Sequence, residues 1–379
     1  MIGASIDEDG LPFFTPPGPV KILIVSDAWK PQVNGVVRTL VTVREELVAM
    51  GHTVEVVGPD RFLTIPAPSE PDVRLAVFPG RRLRRIIDAF APDAIHISTE
   101  GPLGLAARRL CLRRGWPFTT AFHTRFPEYL KARLGVPERM TWALMRRFHR
   151  PSAAVLTATA SLRDELVAKG FANVAAWTRG VDLGLFRPRE RGLLNLPRPV
   201  FLYVGRVAVE KNIEAFLALD LPGAKVVVGD GPQRASLEKR FPEAHFLGAK
   251  FGDDLARAYA EADVFVFPSL TDTFGLVIVE ALACGTPVAA FPVTGPKDVI
   301  DGAPVGVLDH DLGAAALAAL GIDREACRRF AEGFSWRRSA EMLLERLAPI
   351  DRTGNDGAGI DGAGIDGAGL DSGGRAATS

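Results

Sequence analysis

The chain has 379 residues, 47% of them apolar, with 45 Lys and Arg against 45 Asp and Glu and three cysteines. That length suits two domains with separate cores. The absence of any apolar run of roughly 18 residues argues against a membrane span, and an acidic stretch from Met1 to Gly10 against a signal peptide. The scattered Cys111, Cys284 and Cys327 argue against a structural metal, so the expectation is a reduced, cytosolic protein.

Residues 1–19, acidic and rich in Gly and Pro, predict a loose leader. Val20–Val25 reads as the first strand, followed by the turn Ser26–Gly35 and an amphipathic helix from Val36 to Met50 that stops at Gly51. Strands and helices then alternate: Val54–Val57, Arg74–Phe78, a helix over Arg82–Phe90, Ala94–Ile97, a helix over Leu103–Arg114, and Phe118–Phe122. This alternation predicts a doubly wound parallel sheet. The Pro-interrupted stretch from Leu193 to Pro199 is a linker. Beyond it Val200–Val204, Lys225–Val228, His245–Leu247, Asp263–Phe267 and Val288–Phe291 are strands of a second such sheet, with helices to Leu219, over Asp254–Ala262 and from Phe274 to Cys284. A last helical pattern, Trp336–Leu347, is long enough to cross back onto the first domain. The expected organisation is 1–19 leader, 20–185 first domain joined by helix 335–349, 195–334 second domain, and 351–379 a disordered tail of Asp-Gly-Ala-Gly-Ile repeats.

Charge is unevenly shared. Residues 20–180 hold 24 Lys and Arg against 14 Asp and Glu, an excess of +10, whereas residues 181–350 carry −4. Arg81, Arg82, Arg84 and Arg85 concentrate that excess on one amphipathic segment. At about 1 kcal/mol per basic residue near an anionic surface, four or five suffice for reversible docking on a membrane.

Thr271-Asp272-Thr273-Phe274-Gly275-Leu276 falls at the start of a helix in a βαβ unit, where the amides of Phe274, Gly275 and Leu276 can meet an anion. Asp272 and Glu280 lie eight residues apart, roughly 12 Å along a helix. Carboxylates accept from sugar hydroxyls, so two of them flanking an anion site suit a sugar, a diphosphate and a ribose in line. Arg206 and Lys211, just past the end of the buried strand Val200–Val204, can neutralise a diphosphate. The first βα turn is not G-x-G-x-x-G, which counts against an ordinary dinucleotide dehydrogenase.

Asp272-x7-Glu280 within TDTFGLVIVEALACGTPV resembles the E-x7-E motif of family 4 retaining glycosyltransferases, with Asp in place of the usual first Glu, and Gly205-Arg206-x4-Lys211 resembles the family's G-R-x4-K. The HTRFPEY and TDTFGLV stretches are similar to the branch that makes glucuronosyl-, sulfoquinovosyl- or mannosyl-diacylglycerol. The resemblance implies the GT-B fold, two Rossmann-like domains facing a cleft. It implies sugar transfer from a UDP- or GDP-sugar to an acceptor hydroxyl with retention, and no cofactor or bound metal. Arg206 and Lys211 then hold the leaving diphosphate, Asp272 and His123 the sugar, and Glu280 the ribose. Gly35, Gly205, Asp230, Gly231, Lys250, Thr273, Phe274, Gly275 and Leu276 complete the donor site, and Gly295 lines the cleft. Asp27, Arg125 and Tyr129 face the acceptor. The expected partners are a nucleotide-sugar, a lipid acceptor and the anionic inner face of a membrane, with no nucleic acid. A soluble or polysaccharide acceptor is the alternative within this class. A sugar-nucleotide 2-epimerase and a non-catalytic nucleotide-sugar sensor are the alternatives outside it.

Overall fold

Central strands with long apolar side chains on both faces need helices on both sides, which is the condition for a parallel sheet. The structure, a computed structural model, describes residues 4–6, 12–32, 34–67, 70–123, 137–192, 195–272 and 274–351. Its first sheet comprises β1 (Lys21–Val25), β2 (Thr53–Val57), β3 (Ala94–Ile97), β4 (Thr119–Phe122), β5 (Val155–Thr157) and β6 (Val174–Ala176). These lie in the order β6-β5-β4-β3-β1-β2, all parallel. The second comprises β7 (Val200–Val204), β8 (Ala224–Val228), β9 (His245–Gly248), β10 (Val264–Phe267), β11 (Val288–Ala290) and β12 (Gly306–Leu308). Its order, β9-β8-β7-β10-β11-β12, is that of a Rossmann sheet.

The order reverses between β1 and β3 in one sheet and between β7 and β10 in the other. At such a switch point the loops leaving neighbouring strands diverge and open a crevice at the carboxyl ends. Residues 26–32, 34–35 and 98–101 therefore border one crevice, and residues 205–212, 268–272 and 274–275 the other.

Trp336–Arg346 packs against Gly35–Ala49, and Ala340, Leu343, Leu344 and Leu347 bury themselves among Ile22, Ile24, Leu40, Val43 and Leu47. Trp177 Nε1 donates to the Ser339 carbonyl at 2.9 Å, and the Ile350 amide to the Asp93 carbonyl at 2.8 Å. The last helix among the described residues thus completes the core of the first domain.

Three expectations need correction. Arg74–Phe78 is not a strand of the parallel sheet. Glu70–Ala76 pairs antiparallel with Thr64–Ala67, because Val73, Arg74 and Leu75 are only half-buried and Ala76 alone is enclosed, too little apolar surface for a covered strand. The leader is not wholly loose, since Ala4–Ile6 pairs antiparallel with Pro12–Phe14 and Phe14 is buried against the final helix. The helix expected from Phe274 begins at Leu276, because Gly275 sits at φ 80°, a left-handed conformation that ends the helix there. Residues 352–379 lie outside the described residues.

The three thiols are buried, and burial pushes each up to about 12, away from thiolate chemistry. Leu343→Ala should destabilise the first domain by about 2–5 kcal/mol although the residue belongs to the last helix. An earlier denaturation midpoint for that domain, with the second domain's transition unmoved, is the expected result.

Candidate active site

The two crevices face each other, and the helices that border them meet. Asn34 Oδ1 caps Gly35–Ala49 by accepting from the Val37 amide at 3.0 Å. Across the cleft Leu276–Ala283 starts at Gly275 with no side-chain cap, so the amides of Leu276 and Val277 lack intrahelical acceptors. A Cβ on Gly35 would stand 3.7 Å from Leu276 Cδ1, an ordinary contact distance, so the two helix starts are direct neighbours. One turn further along each helix, Arg38 forms an ion pair with Glu280. Glu280 is 3% exposed and also accepts from the Tyr259 hydroxyl at 3.0 Å. Burial lifts its carboxyl above the usual range, and Arg38 and Tyr259 pull the other way. The Arg38 guanidinium additionally lies 5.3 Å from the Phe186 ring centroid. Sequence pattern alone did not single out Arg38, although its place one turn after Gly35 is legible.

The Asp272 carboxylate meets Lys211. Lys211 Nζ lies 2.6 Å from Asp272 Oδ1, whereas Asp272 Oδ2 is buried with no hydrogen-bond partner among the described residues. Asn212 Nδ2 donates to the Pro268 carbonyl at 3.1 Å and ties the two switch-point loops together. Arg206 is half-exposed in the same loop, 4.0 Å from Glu210, and its carbonyl accepts from the buried Tyr203 hydroxyl at 3.0 Å. Phe274 turns into the core beside Phe334, so its side chain anchors the loop while its backbone borders the crevice.

The glycine turns are set by backbone approach. A Cβ on Gly229 would collide with the Gly205 carbonyl oxygen, and the Val207 amide donates to the Asp230 carbonyl at 2.9 Å. Gly205, Asp230 and Gly231 are thereby one packed unit at the carboxyl ends of β7 and β8. The Asp230 side chain itself turns outward to Arg234 at 3.1 Å. Lys250 follows β9, next to the loop whose Gly248 carbonyl accepts from the Gly229 amide. Gly295, at φ 97°, packs with its Cα side against the Asp272 carbonyl and starts Pro296–Ile300.

On the first domain His123 follows β4, with Nε2 2.9 Å from Ser98 Oγ and Nδ1 3.3 Å from Arg179 Nη2. Burial, and then the Arg179 charge, hold its imidazole well below the usual histidine range. Asp27, expected to face the acceptor, has both carboxylate oxygens committed elsewhere. Oδ1 accepts from the Leu103 amide at 2.8 Å, and Oδ2 from the Gly104 amide at 3.2 Å and Thr99 Oγ1 at 3.0 Å. It caps the helix Pro102–Arg114, whose own N-cap Gly101 has no side chain for the task. Arg125, Tyr129 and Thr273 lie outside the described residues.

Arg81, Arg82, Arg84 and Arg85 are exposed on Gly80–Phe90, whose Leu83 and Ile87 are buried. Beside them stand three apolar side chains that sequence reading passed over: Phe78 at 95% exposure, Leu63 at 83% and Ile65 at 56%. The Val77 amide donates to the Leu63 carbonyl at 2.8 Å, and Arg82 lies 5.7 Å from the Phe62 ring centroid, so basic helix and apolar tips form one surface. Among the described residues no helix is long and apolar enough to cross a membrane.

Comparison with known proteins fits this geometry. The family model described as Glycosyltransferase Family 4 matches residues 33–185, and that described as Glycosyl transferases group 1 matches residues 198–321. The GDP-mannose-dependent alpha-mannosyltransferase of Mycobacterium tuberculosis is 34% identical over 86% of this chain and 95% of its own. Sulfoquinovosyl transferase SQD2 of Arabidopsis thaliana is 33% identical over 69% of this chain and 54% of its own. Alpha-monoglucosyldiacylglycerol synthase of Streptococcus pneumoniae is 28% identical over 79% and 78%. Among solved structures, sucrose-phosphate synthase from Thermosynechococcus elongatus superposes with a TM-score of 0.67 at 21% identity, over 86% of this chain and 95% of that one, a likeness of fold.

Asp27 supplies a pH test. Burial lifts its carboxyl above the ordinary 3.8, against the Leu103, Gly104 and Thr99 hydrogen bonds. The native state therefore binds that proton more tightly than the unfolded chain, and its contribution to stability falls as pH rises from about 3.8 through the raised value. Asp27→Asn removes this dependence. The stability of Asp27→Asn relative to the parent should grow between about pH 4 and pH 7 in urea denaturation, and a constant difference would contradict the assignment.

Proposed function

The chain belongs to glycosyltransferase family 4, and on that premise we propose that it transfers a hexose from a nucleoside-diphosphate sugar to a hydroxyl of a membrane lipid. The observation that carries the reading is the pairing of Lys211 with Asp272 at the second sheet's switch point, opposite the start of Gly35–Ala49. A lysine ammonium has three donors, so Lys211 can hold Asp272 and a phosphate oxygen together. Arg206 and the amides at the start of Leu276–Ala283 add positive charge around the same point.

Charge builds on the diphosphate as the anomeric C–O bond breaks, and groups already aimed there lower the barrier without a metal ion. The acceptor oxygen bonds the anomeric carbon from the face the phosphate leaves, and its proton passes to the departing phosphate oxygen. Configuration is retained and no enzyme carboxylate serves as nucleophile. Asp272 Oδ2, buried and without a partner among the described residues, takes a sugar hydroxyl. Glu280 takes the ribose by exchanging part of its bond to Arg38. His123 meets the sugar from the first domain.

The lipid acceptor rests on a second observation, the basic helix flanked by Phe78, Leu63 and Ile65. Cations meet anionic headgroups while the three apolar tips enter the acyl boundary. The name of the pneumococcal relative, a diacylglycerol glycoside synthase, supports the same direction.

Arg206→Ala or Lys211→Ala should lower turnover by about 10²–10³-fold with the fold intact; near-parental turnover in either variant would refute the diphosphate role. In sedimentation with vesicles, the protein should bind phosphatidylglycerol-containing bilayers and release with salt. Replacing Arg81, Arg82, Arg84 and Arg85 by Ala, or Phe78 by Ser, should weaken that binding. Equal binding to neutral and anionic vesicles would count against it.

A further inference from the structure

Arg179 is 4% exposed, and among the described residues no carboxylate pairs with it. Its Nη1 donates to the Trp177 carbonyl at 2.6 Å and the Thr178 carbonyl at 3.2 Å. The guanidinium lies 4.3 Å from the Trp177 ring centroid, and Nη2 stands 3.3 Å from His123 Nδ1. A guanidinium has donors and no acceptor. The ring nitrogen it faces must offer a lone pair, so the proton of neutral His123 is on Nε2, directed at Ser98 Oγ 2.9 Å away.

The segment that carries Arg179 is gripped by the chain returning from the second domain. Ser339 Oγ donates to the Thr178 carbonyl at 2.8 Å, the Val181 amide donates to the Phe334 carbonyl at 3.2 Å, and the Gly180 backbone presses on Trp336. Arg179 is therefore held from the domain crossover and reaches into the first domain's crevice.

We infer that Arg179 is a positioning residue that fixes His123 in the Nε2-protonated tautomer, with Ser98 Oγ as the resting acceptor of an N–H that passes to a sugar oxygen when donor binds. The consequence for the donor rests on the sugar-facing role proposed above for His123. Protonation of the ring at Nδ1 would set two cationic groups against each other. The His96 ring, whose centroid lies 5.6 Å from the Trp177 ring that His123 also meets at 5.6 Å, is held down to about 3 by burial and brings no compensating charge, and Glu100 is turned to His149 at 3.1 Å. His123 thus offers one fixed N–H throughout the physiological range instead of titrating there as an ordinary histidine does.

Nitrogen NMR on the full chain with labelled histidine tests this, the His123 signal being identified by its loss in His123→Gln. The unmodified protein should show the Nε2–H tautomer with no titration between about pH 5.5 and 8. Arg179→Met keeps bulk but supplies neither donor nor charge. It should give mixed tautomers and a ring that takes up a proton in that range. An Nδ1–H tautomer in the unmodified protein overturns the inference even if the Met variant fails to fold. So does an Arg179→Met spectrum with the same tautomer and the same titration. If the spectra behave as expected while His123→Gln transfers sugar at unchanged kcat/KM, the Arg179 assignment stands and the sugar-facing role of His123 falls.

Discussion

A carboxylate enclosed like that of Glu280 is costly to keep ionised unless a cation and a further donor reach it. Here the cation, Arg38, comes from the opposite domain, and Tyr259 supplies the donor from its own. The first helix of one domain is thereby set against the loop-bordering helix of the other. An isolated buried pair of this kind adds little net stability, but it penalises any arrangement that leaves one partner alone. Register between the domains is what it specifies. Asp272 is matched in the same way by Lys211 from within its own domain. Both carboxylates, Glu280 and Asp272, are thus each matched by a cation.

Charge is divided to match. The basic excess of the first domain is concentrated on the exposed face of Gly80–Phe90, while the second domain brings Arg206 and Lys211 to the switch point. One set is exposed to solvent and the other borders the crevice. The apolar tips Phe78, Leu63 and Ile65 sharpen the distinction, because a merely solvated basic face gains nothing from exposing large apolar side chains beside it.

Strands buried on both faces were legible because continuous apolar runs such as Val200–Val204 and Val264–Phe267 leave little else for the chain to do. Trp336–Leu347 read as a helix from its pattern and length, and Asp272, Glu280, Arg206 and Lys211 were picked out by their spacing. Arg74–Phe78 misled because a short apolar run carries no label for parallel or antiparallel pairing; that depends on how much of it other elements cover. Asp27 misled because nothing local reveals that Gly101 leaves the next helix without a cap of its own. Arg38 and Arg179 act through partners 242 and 56 positions away, in contacts that only the folded chain creates. The start of Leu276–Ala283 shifted by two positions because a left-handed glycine is a matter of backbone torsion, which the residue type permits but does not dictate.

The first domain borrows the helix Trp336–Arg346, from beyond the second domain, to close its core, with Leu343 and Leu347 among Ile22, Leu40 and Val43. During synthesis the ribosome delivers the amino-terminal sheet long before Trp336–Arg346 emerges. The second domain, whose core needs no such return, can mature while the first is still missing a wall. Order of assembly is therefore reversed relative to order of translation, and the amino-terminal half is the last to be completed.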